Sequence, residues 1–262
     1  MVKINDNVSA EIIDGVLTAD LSTWDEFANF VTGRLLDYDN YNWRGQRSAD
    51  WLLESTLDRM LKETKKTANS VPKHLENFKY ATRGRRGSNP AKMESDDDWW
   101  ALGQHNGLAT PLLDWTTSPF VAAYFAFWED INEQDKRAIY GLTQKSIVLK
   151  NGELVSNNPR TSEDDLVVKY IKPLSDENAR LVNQSGLFTK SPTGIDMEKW
   201  VSENFSGYRK IILLKLTLPN TERATTLKAL NRMNINHLTL FPDLSGASEF
   251  CNMGLKIEKY KY

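Results

Sequence analysis

The side chains best suited to chemistry crowd one stretch, Leu102 to Trp128, LGQHNGLATPLLDWTTSPFVAAYFAFW. Gln104, His105, Asp114, Thr116, Thr117 and Ser118 stand at the approach to the most apolar segment of the chain. A buried polar group left without a partner costs about 1–3 kcal/mol, so such crowding marks a site more readily than a packing accident. His105 can donate a hydrogen bond to a ligand or act as a general acid or base. Asp114 can fix the tautomer of His105 or clamp an arginine. The plainer alternative is that Asp114, Thr116 and Ser118 organise a turn and cap a helix. Capping is the preferred reading for Ser118; the site is preferred for His105 and Thr117.

Two further motifs carry polar groups to strand ends. In Trp43-Arg44-Gly45-Gln46, the planar fork of Arg44 suits a phosphate or carboxylate, and Gly45 lets a ligand approach the backbone. The competing reading is an arginine paired with Asp50 or Asp114. In Arg180-x-x-x-Gln184-x-Gly186-Leu187-Phe188-Thr189, Gln184 can bond a ribose hydroxyl or an amide. Otherwise it faces water at a sheet edge. The three histidines, His74, His105 and His237, show no metal-ligand spacing, so no metal site is expected. Walker, GxGxxG, GxSxG and EF-hand patterns are absent.

The whole chain bounds these options. Its 262 residues allow a substantial core, and 40% hydrophobic with 26% charged residues is ordinary for a globular protein. A formal net charge of -2 argues against a domain-wide nucleic-acid footprint. One local cationic run exists, Arg83, Arg85 and Arg86 in ATRGRRGSNP; it either touches phosphate or is a solvated loop. The lone Cys251 excludes an intrachain disulfide and a cysteine zinc site. The beginning MVKINDNVSAEII lacks the features of a leader, and no run of about 18 apolar residues is present. A cytoplasmic location and no membrane partner are the expectation.

The elements that must position these residues follow from local pattern. Val8 to Leu21 reads as extended. Thr23 and Glu26 have capping-box spacing ahead of a helix with Trp24, Phe27, Phe30, Val31 and Leu35 on one face. A short strand centres on Tyr41 to Arg44, with Gly45 able to end it. Helices are expected over Trp51–Lys66, His74–Tyr80 and Asp96–Gly103, with a mobile connection around the second of them and a loop carrying His105 to Thr117. Ser118 and Pro119 open a buried helix through Trp128. Strands are expected over Ala138–Leu142, Ser146–Leu149, Leu166–Lys172, Gly186–Thr189 and Lys210–Leu218. Helices are expected over Thr221–Met233 and Phe241–Asn252. The irregular mixture favours an α+β fold with a mixed, mostly antiparallel sheet and flanking helices. No convincing domain boundary appears, so residues 1–262 read as one unit. It has a strand and helix over 1–40 and core motifs over 41–128 and 180–246.

At these motifs the chain resembles the FRG-domain family. Trp43-Arg44-Gly45 matches its aromatic-Arg-Gly signature, with tryptophan in place of phenylalanine. Gln104-His105-x-Gly107-Leu108-x-Thr110-x-Leu112-Leu113-Asp114-Trp115-Thr116-x-Ser118-Pro119, followed by Ala122-Ala123-x-Phe125-Ala126, is the most specific stretch. Gln184-x-Gly186-x-Phe188-Thr189 and Leu240-Phe241-Pro242-Asp243-Leu244 resemble later motifs, and the likeness runs from about Trp24 to Gly246.

A weaker resemblance is to the arginine-type ADP-ribosyltransferases. It implies an ADP-ribosyltransferase-like fold with NAD as substrate. Arg44-Gly45 matches the strand-end arginine, Trp115-Thr116-Thr117-Ser118 the Ser-Thr-Ser-like strand, and Gln184 falls where a catalytic glutamate belongs. The resemblance implies catalytic roles for Arg44, His105, Thr117 and Gln184. It also implies dinucleotide binding by Gly45, Gln46, Gln104, Asp114, Trp115, Thr116 and Ser118. Cleavage of the nicotinamide bond develops positive charge on the ribose, which a carboxylate stabilises better than an amide. Glu249, Glu163, Asp164 and Asp165 are therefore candidate replacements for the missing glutamate.

The expected activity is an NAD-dependent ADP-ribosyltransferase or NAD glycohydrolase with a protein or nucleic-acid acceptor; by analogy it suits a toxin or antiviral defence effector. The alternative is a nucleotide- or nucleic-acid-binding module without turnover. A third reading, a metal-independent hydrolase using His105 with Asp114, lacks a convincing nucleophile.

Overall fold

The computed structural model describes residues 2–4, 8–38, 40–130, 135–172 and 186–260. A small sheet pairs β1 (Val2–Lys3) with β2 (Ser9–Ala10). The main sheet has eight strands. These are β3 (Ile12–Ile13), β4 (Val16–Asp20), β5 (Tyr41–Gln46), β6 (Leu112–Thr116), β7 (Lys136–Thr143), β8 (Lys169–Ile171), β9 (Gly186–Lys190) and β10 (Leu213–Pro219). Their order across the sheet is β3-β4-β10-β7-β5-β6-β9-β8, and every neighbouring pair is antiparallel except β4 with β10. Helices flank this mixed sheet, and the architecture is α+β. No helix among the described residues is long and apolar enough to cross a membrane.

Local chemistry accounts for the first six helices. In α1 (Trp24–Arg34), Thr23 accepts from the Glu26 amide, and the Glu26 carboxylate accepts from the Ser22 amide. Trp24, Phe27, Phe30 and Val31 are buried. α2 (Thr56–Glu63) begins later than Trp51, because Ser55 is the cap. α3 (Val71–Ala81) starts before His74, with Pro72 in its first turn. α4 (Asp96–His105) is opened by a capping box of Ser95 and Asp98, and it runs through Gln104 and His105. His105 therefore rides on a helix, not on a loop, and Leu112 to Thr116 is the strand β6. In α5 (Pro119–Phe127), Ser118 accepts from the Val121 amide. The apolar run at Ile147 to Leu149 misleads: it lies in α6 (Gln144–Asn157), with Ile147 buried and Val148 and Leu149 exposed. A one-sided helix with a single buried contact in that window looks locally like a short strand.

The later expectations meet shorter strands at β8 and β10 and a helix over Arg223–Arg232. His237–Leu240 adds a turn of helix before Leu244–Lys256, which Asp243 caps. One core lies on the α5 side of the sheet, built with α1 and these later helices. A second joins the opposite face to α6 and the helix Met197–Asn204. A third gathers Leu57, Leu75, Trp100 and Leu112 where α2, α3 and α4 meet β6.

At the far edge, Lys169 of β8 stands opposite Lys190 of β9. Asp164 separates the two charges, 2.6 Å from Lys169 Nζ and 3.1 Å from Lys190 Nζ. Its carboxyl is held below the ordinary carboxylate value, first by the Lys169 hydrogen bond and then by Lys190, against burial. A depressed folded pKa means the stabilisation is full above the unfolded value of about 3.9 and is lost as pH falls through the folded one. Because Asp164 is half exposed, Asp164→Asn is expected to cost under about 1 kcal/mol at neutral pH. The difference from wild type should vanish in strong acid. Urea unfolding at several pH values checks both the size and the sign.

Candidate functional site

The sheet parts between β5 and β6. These strands share one register pair, Trp43 with Thr116. Beyond it, β5 stays paired to β7 as far as Gln46 with Ala138, while β6 stays paired to β9 as far as Leu112 with Lys190. A cavity of about 420 Å³ opens where they part. Arg44 spans the gap: its Nη1 donates to the Asp114 carbonyl at 2.9 Å and lies 3.6 Å from Asp114 Oδ2. The side chain thus replaces a missing ladder hydrogen bond, and Asp114 rather than Asp50 is its acidic partner.

The last turn of α4 delivers Gln104 and His105 to the same cavity. Gln104 Nε2 donates to Asp114 Oδ2 at 2.8 Å, while its Oε1 accepts from the buried Thr110 hydroxyl. Both ends of the amide are spoken for, so its orientation is fixed and it holds the carboxylate of Asp114 toward Arg44. Gln104→Leu strands the buried Thr110 hydroxyl, while the exposed Asp114 oxygen turns to water. The expected loss is about 1–3 kcal/mol, read by urea denaturation.

Two more guanidinium groups line the cavity, those of Arg47 and Arg59. Arg47 pairs with Glu129 and lies over the Trp51 ring at 5.5 Å. Arg59 donates to the Glu54 carbonyl at 2.9 Å and to Thr56 Oγ1 at 3.2 Å. Burial lowers the pKa of Arg44; Asp114 opposes that shift and Arg59 adds to it. Burial lowers that of Arg47, and Arg59 again adds to it. Arginine stays protonated through such shifts, so the cleft holds three cations partly removed from water, where a bound anion is favoured. Arg44 Nε is buried and has no hydrogen-bond partner. An acceptor supplied by a ligand would satisfy it. Trp43, Trp51, Phe125, Trp128, Phe188 and Phe241 supply ring surface to the same walls.

The remaining residues singled out from sequence fall into distinct places. Gln46 lines the cavity, and its amide pins the following loop by donating to the Trp51 carbonyl at 2.7 Å and the Ser48 carbonyl at 3.3 Å. Gly45 lies inside β5 and does not end it. A Cβ there would sit 1.9 Å from the Ala122 carbonyl oxygen and 2.6 Å from the Ala126 nitrogen, so the absent side chain makes room for α5. Trp115 and Thr116 line the cavity. The Trp115 indole donates to Thr189 Oγ1 at 2.8 Å, and Thr116 Oγ1 accepts from the Ser118 amide at 3.1 Å. Ser118 is the helix cap. Thr117 is exposed, and neither it nor Ser118 is part of the lining. Gln184 and Arg180 lie outside the described residues; Gly186, at the start of β9, is opposite Thr116.

Among the described residues, Asp114 and Glu129 are the carboxylates in the lining. Glu249 is engaged by Asn252 and Lys256, and Glu163 and Asp164 by Lys169; with Asp165, they lie outside it. Sequence reasoning missed Glu129, Arg47, Arg59 and Arg137. The fully buried Arg137 ties the site together, donating from Nη1 to the Arg47 carbonyl at 2.8 Å and from Nη2 to the Glu129 carbonyl at 3.4 Å. One signal was available: Arg137 directly before the apolar run AIYGL, in a strand buried from Arg137 onward, requires partners for its five donors.

No curated protein and no solved structure matches the chain. A family model described as the FRG domain matches residues 39–136, a stretch running from the threshold of β5, through Arg44, Gln104, His105 and Asp114, to the first residue of β7. The resemblance read from Trp24 to Gly246 is thus matched over its first half, and the motifs on β9 and at Phe241 lie beyond it. Residues 39–136 are therefore similar to the FRG domain, and the matched segment holds the strand split and most of the polar groups around it.

Proposed function

We propose that the cleft binds a dinucleotide, NAD, and that the protein is an NAD-consuming ADP-ribosyltransferase or NAD glycohydrolase. Such an activity suits a toxin or antiviral defence effector. The observation that carries this reading is the buried, unpartnered Nε of Arg44 beside two further guanidinium groups and several aromatic rings. Cations in a half-closed cleft suit a pyrophosphate, and flat rings suit a nicotinamide or adenine face. Arg44 and Arg59 take the pyrophosphate in this scheme, and Gln184 takes a ribose hydroxyl.

The reaction breaks the bond between C1′ of the ribose and the nicotinamide nitrogen. The bonding pair leaves with the nicotinamide, which becomes neutral. Water or an acceptor oxygen then bonds to C1′ and loses its proton. A carboxylate near C1′ stabilises the developing ribose cation. Glu129 and Asp114 are the candidates, and His105 is positioned in the same lining to receive the proton.

Incubation with NAD and measurement of nicotinamide tests the reading. Wild type should release it, Arg44→Ala should not, and Glu129→Gln should be slower by at least about tenfold. No release with any acceptor, together with no heat on NAD titration, would sink the proposal. A second reading, nucleotide binding without turnover, is favoured by one observation: Asp114 is engaged by Gln104 and Arg44, and Glu129 by Arg47. Heat on titration without nicotinamide release selects it.

A further inference from the structure

We infer that a groove on the other flank of His105 binds single-stranded nucleic acid. It is separate from the strand split, holds about 640 Å³, and shares His105 with it. The groove runs beside α3 and α4, which are joined by the Lys79–Asp96 pair at 2.5 Å and an edge contact of Phe78 with Trp99. Phe78, Arg85, Arg86, Leu102 and His105 line it, and among the described residues its lining contains no carboxylate.

The basic run after α3 is built, not trailing. Gly84 and Gly87 both have positive φ, 73° and 78°, which side chains resist. Those turns bring Arg86 back over the Trp99 ring at 5.1 Å, where its Nη2 donates to the Ala91 carbonyl at 2.5 Å. Arg85 donates to the Ala81 carbonyl at 2.8 Å, which steadies its stem against the end of α3. Arg83 and Arg85 are exposed and have no carboxylate partner among the described residues. Tyr80, one turn back, exposes 61% of its surface beside them.

Exposed cations beside ring surface are what a single strand needs. Phosphates take the guanidinium groups, and unstacked bases take the aromatic and apolar surface. A duplex keeps its bases stacked and offers nothing to Phe78. An acidic peptide matches the charge but not the rings. The net charge of -2 makes the attraction local, so it should be short-ranged and sensitive to salt.

The test uses the full chain and a fluorescein-labelled oligonucleotide of about 12 nucleotides, followed by anisotropy. DNA and RNA strands should both bind at about 50 mM salt and weaken sharply by about 200 mM. Arg83→Glu/Arg85→Glu should weaken binding at least tenfold, roughly what two lost phosphate contacts imply. Arg83→Gln/Arg85→Gln should lose less, and Arg44→Ala should bind as wild type does. Because Arg44 sits in the other cavity, failure here and failure to bind NAD are read independently. No binding at low salt, a charge reversal without effect, or equal affinity for a duplex or a glutamate peptide would overturn the proposal.

Discussion

Replacing Gly45 with alanine is expected to abolish cooperative folding, or to cost more than about 3 kcal/mol where a transition survives. The new methyl carbon would lie 1.9 Å from the Ala122 carbonyl oxygen and 2.6 Å from the Ala126 nitrogen. Both are backbone atoms of α5, so no rotamer change can relieve the clash. The helix would have to lift off β5 as a body, and Ala122, Ala123, Tyr124 and Phe127 are fully buried on it. Interiors packed near crystal density do not absorb such a shift cheaply. Urea denaturation of Gly45→Ala measures the effect. A midpoint close to wild type would show that α5 does not depend on this close approach. The aromatic-Arg-Gly motif then has two parts with different work: Arg44 faces the cleft and Gly45 seats the helix behind it.

The second large effect is at Arg44. Arg44→Ala is expected to weaken NAD binding at least about 100-fold, near 2.7 kcal/mol, because it removes the buried donor that has no partner within the protein. The fold should survive, since the Asp114 carbonyl opens onto a cavity where water can replace the lost bond. Arg44→Lys should not restore affinity. An ammonium cannot bond the Asp114 carbonyl and at the same time present a second, fixed donor. Isothermal titration together with thermal melts separates the two consequences. Retained affinity in Arg44→Lys would mean that charge alone, and not the planar fork, is recognised.

Much of the frame was legible in the sequence, because its signals are local. Thr23 with Glu26, and Ser118 with Pro119, announce their helices, and the branched run in β10 announces its strand. The crowding of Gln104, His105 and Asp114 pointed to a cavity that these residues do line with Arg44. The loop expected over His105 to Thr117 is the end of a helix, a short connection and a strand. The stretch Asn106 to Pro111 is a short connection between two elements whose polar ends turn toward each other. What stayed hidden is spatial. That β5 and β6 diverge after one register pair depends on their other neighbours, β7 and β9. Glu129 and Arg59 enter the cleft because of that divergence, and no spacing links them to Arg44. The glycine of the motif was read as room for a ligand, and only the helix packed across it shows what fills that room.

The central claim is that the opening between β5 and β6 receives a pyrophosphate. A crystal structure of the protein with ADP-ribose tests it most directly. The account predicts a phosphate oxygen within hydrogen-bond distance of Arg44 Nε, with a ring of the ligand against the cavity's aromatic wall. ADP-ribose ordered at another surface, with only solvent between the two strands, would contradict it.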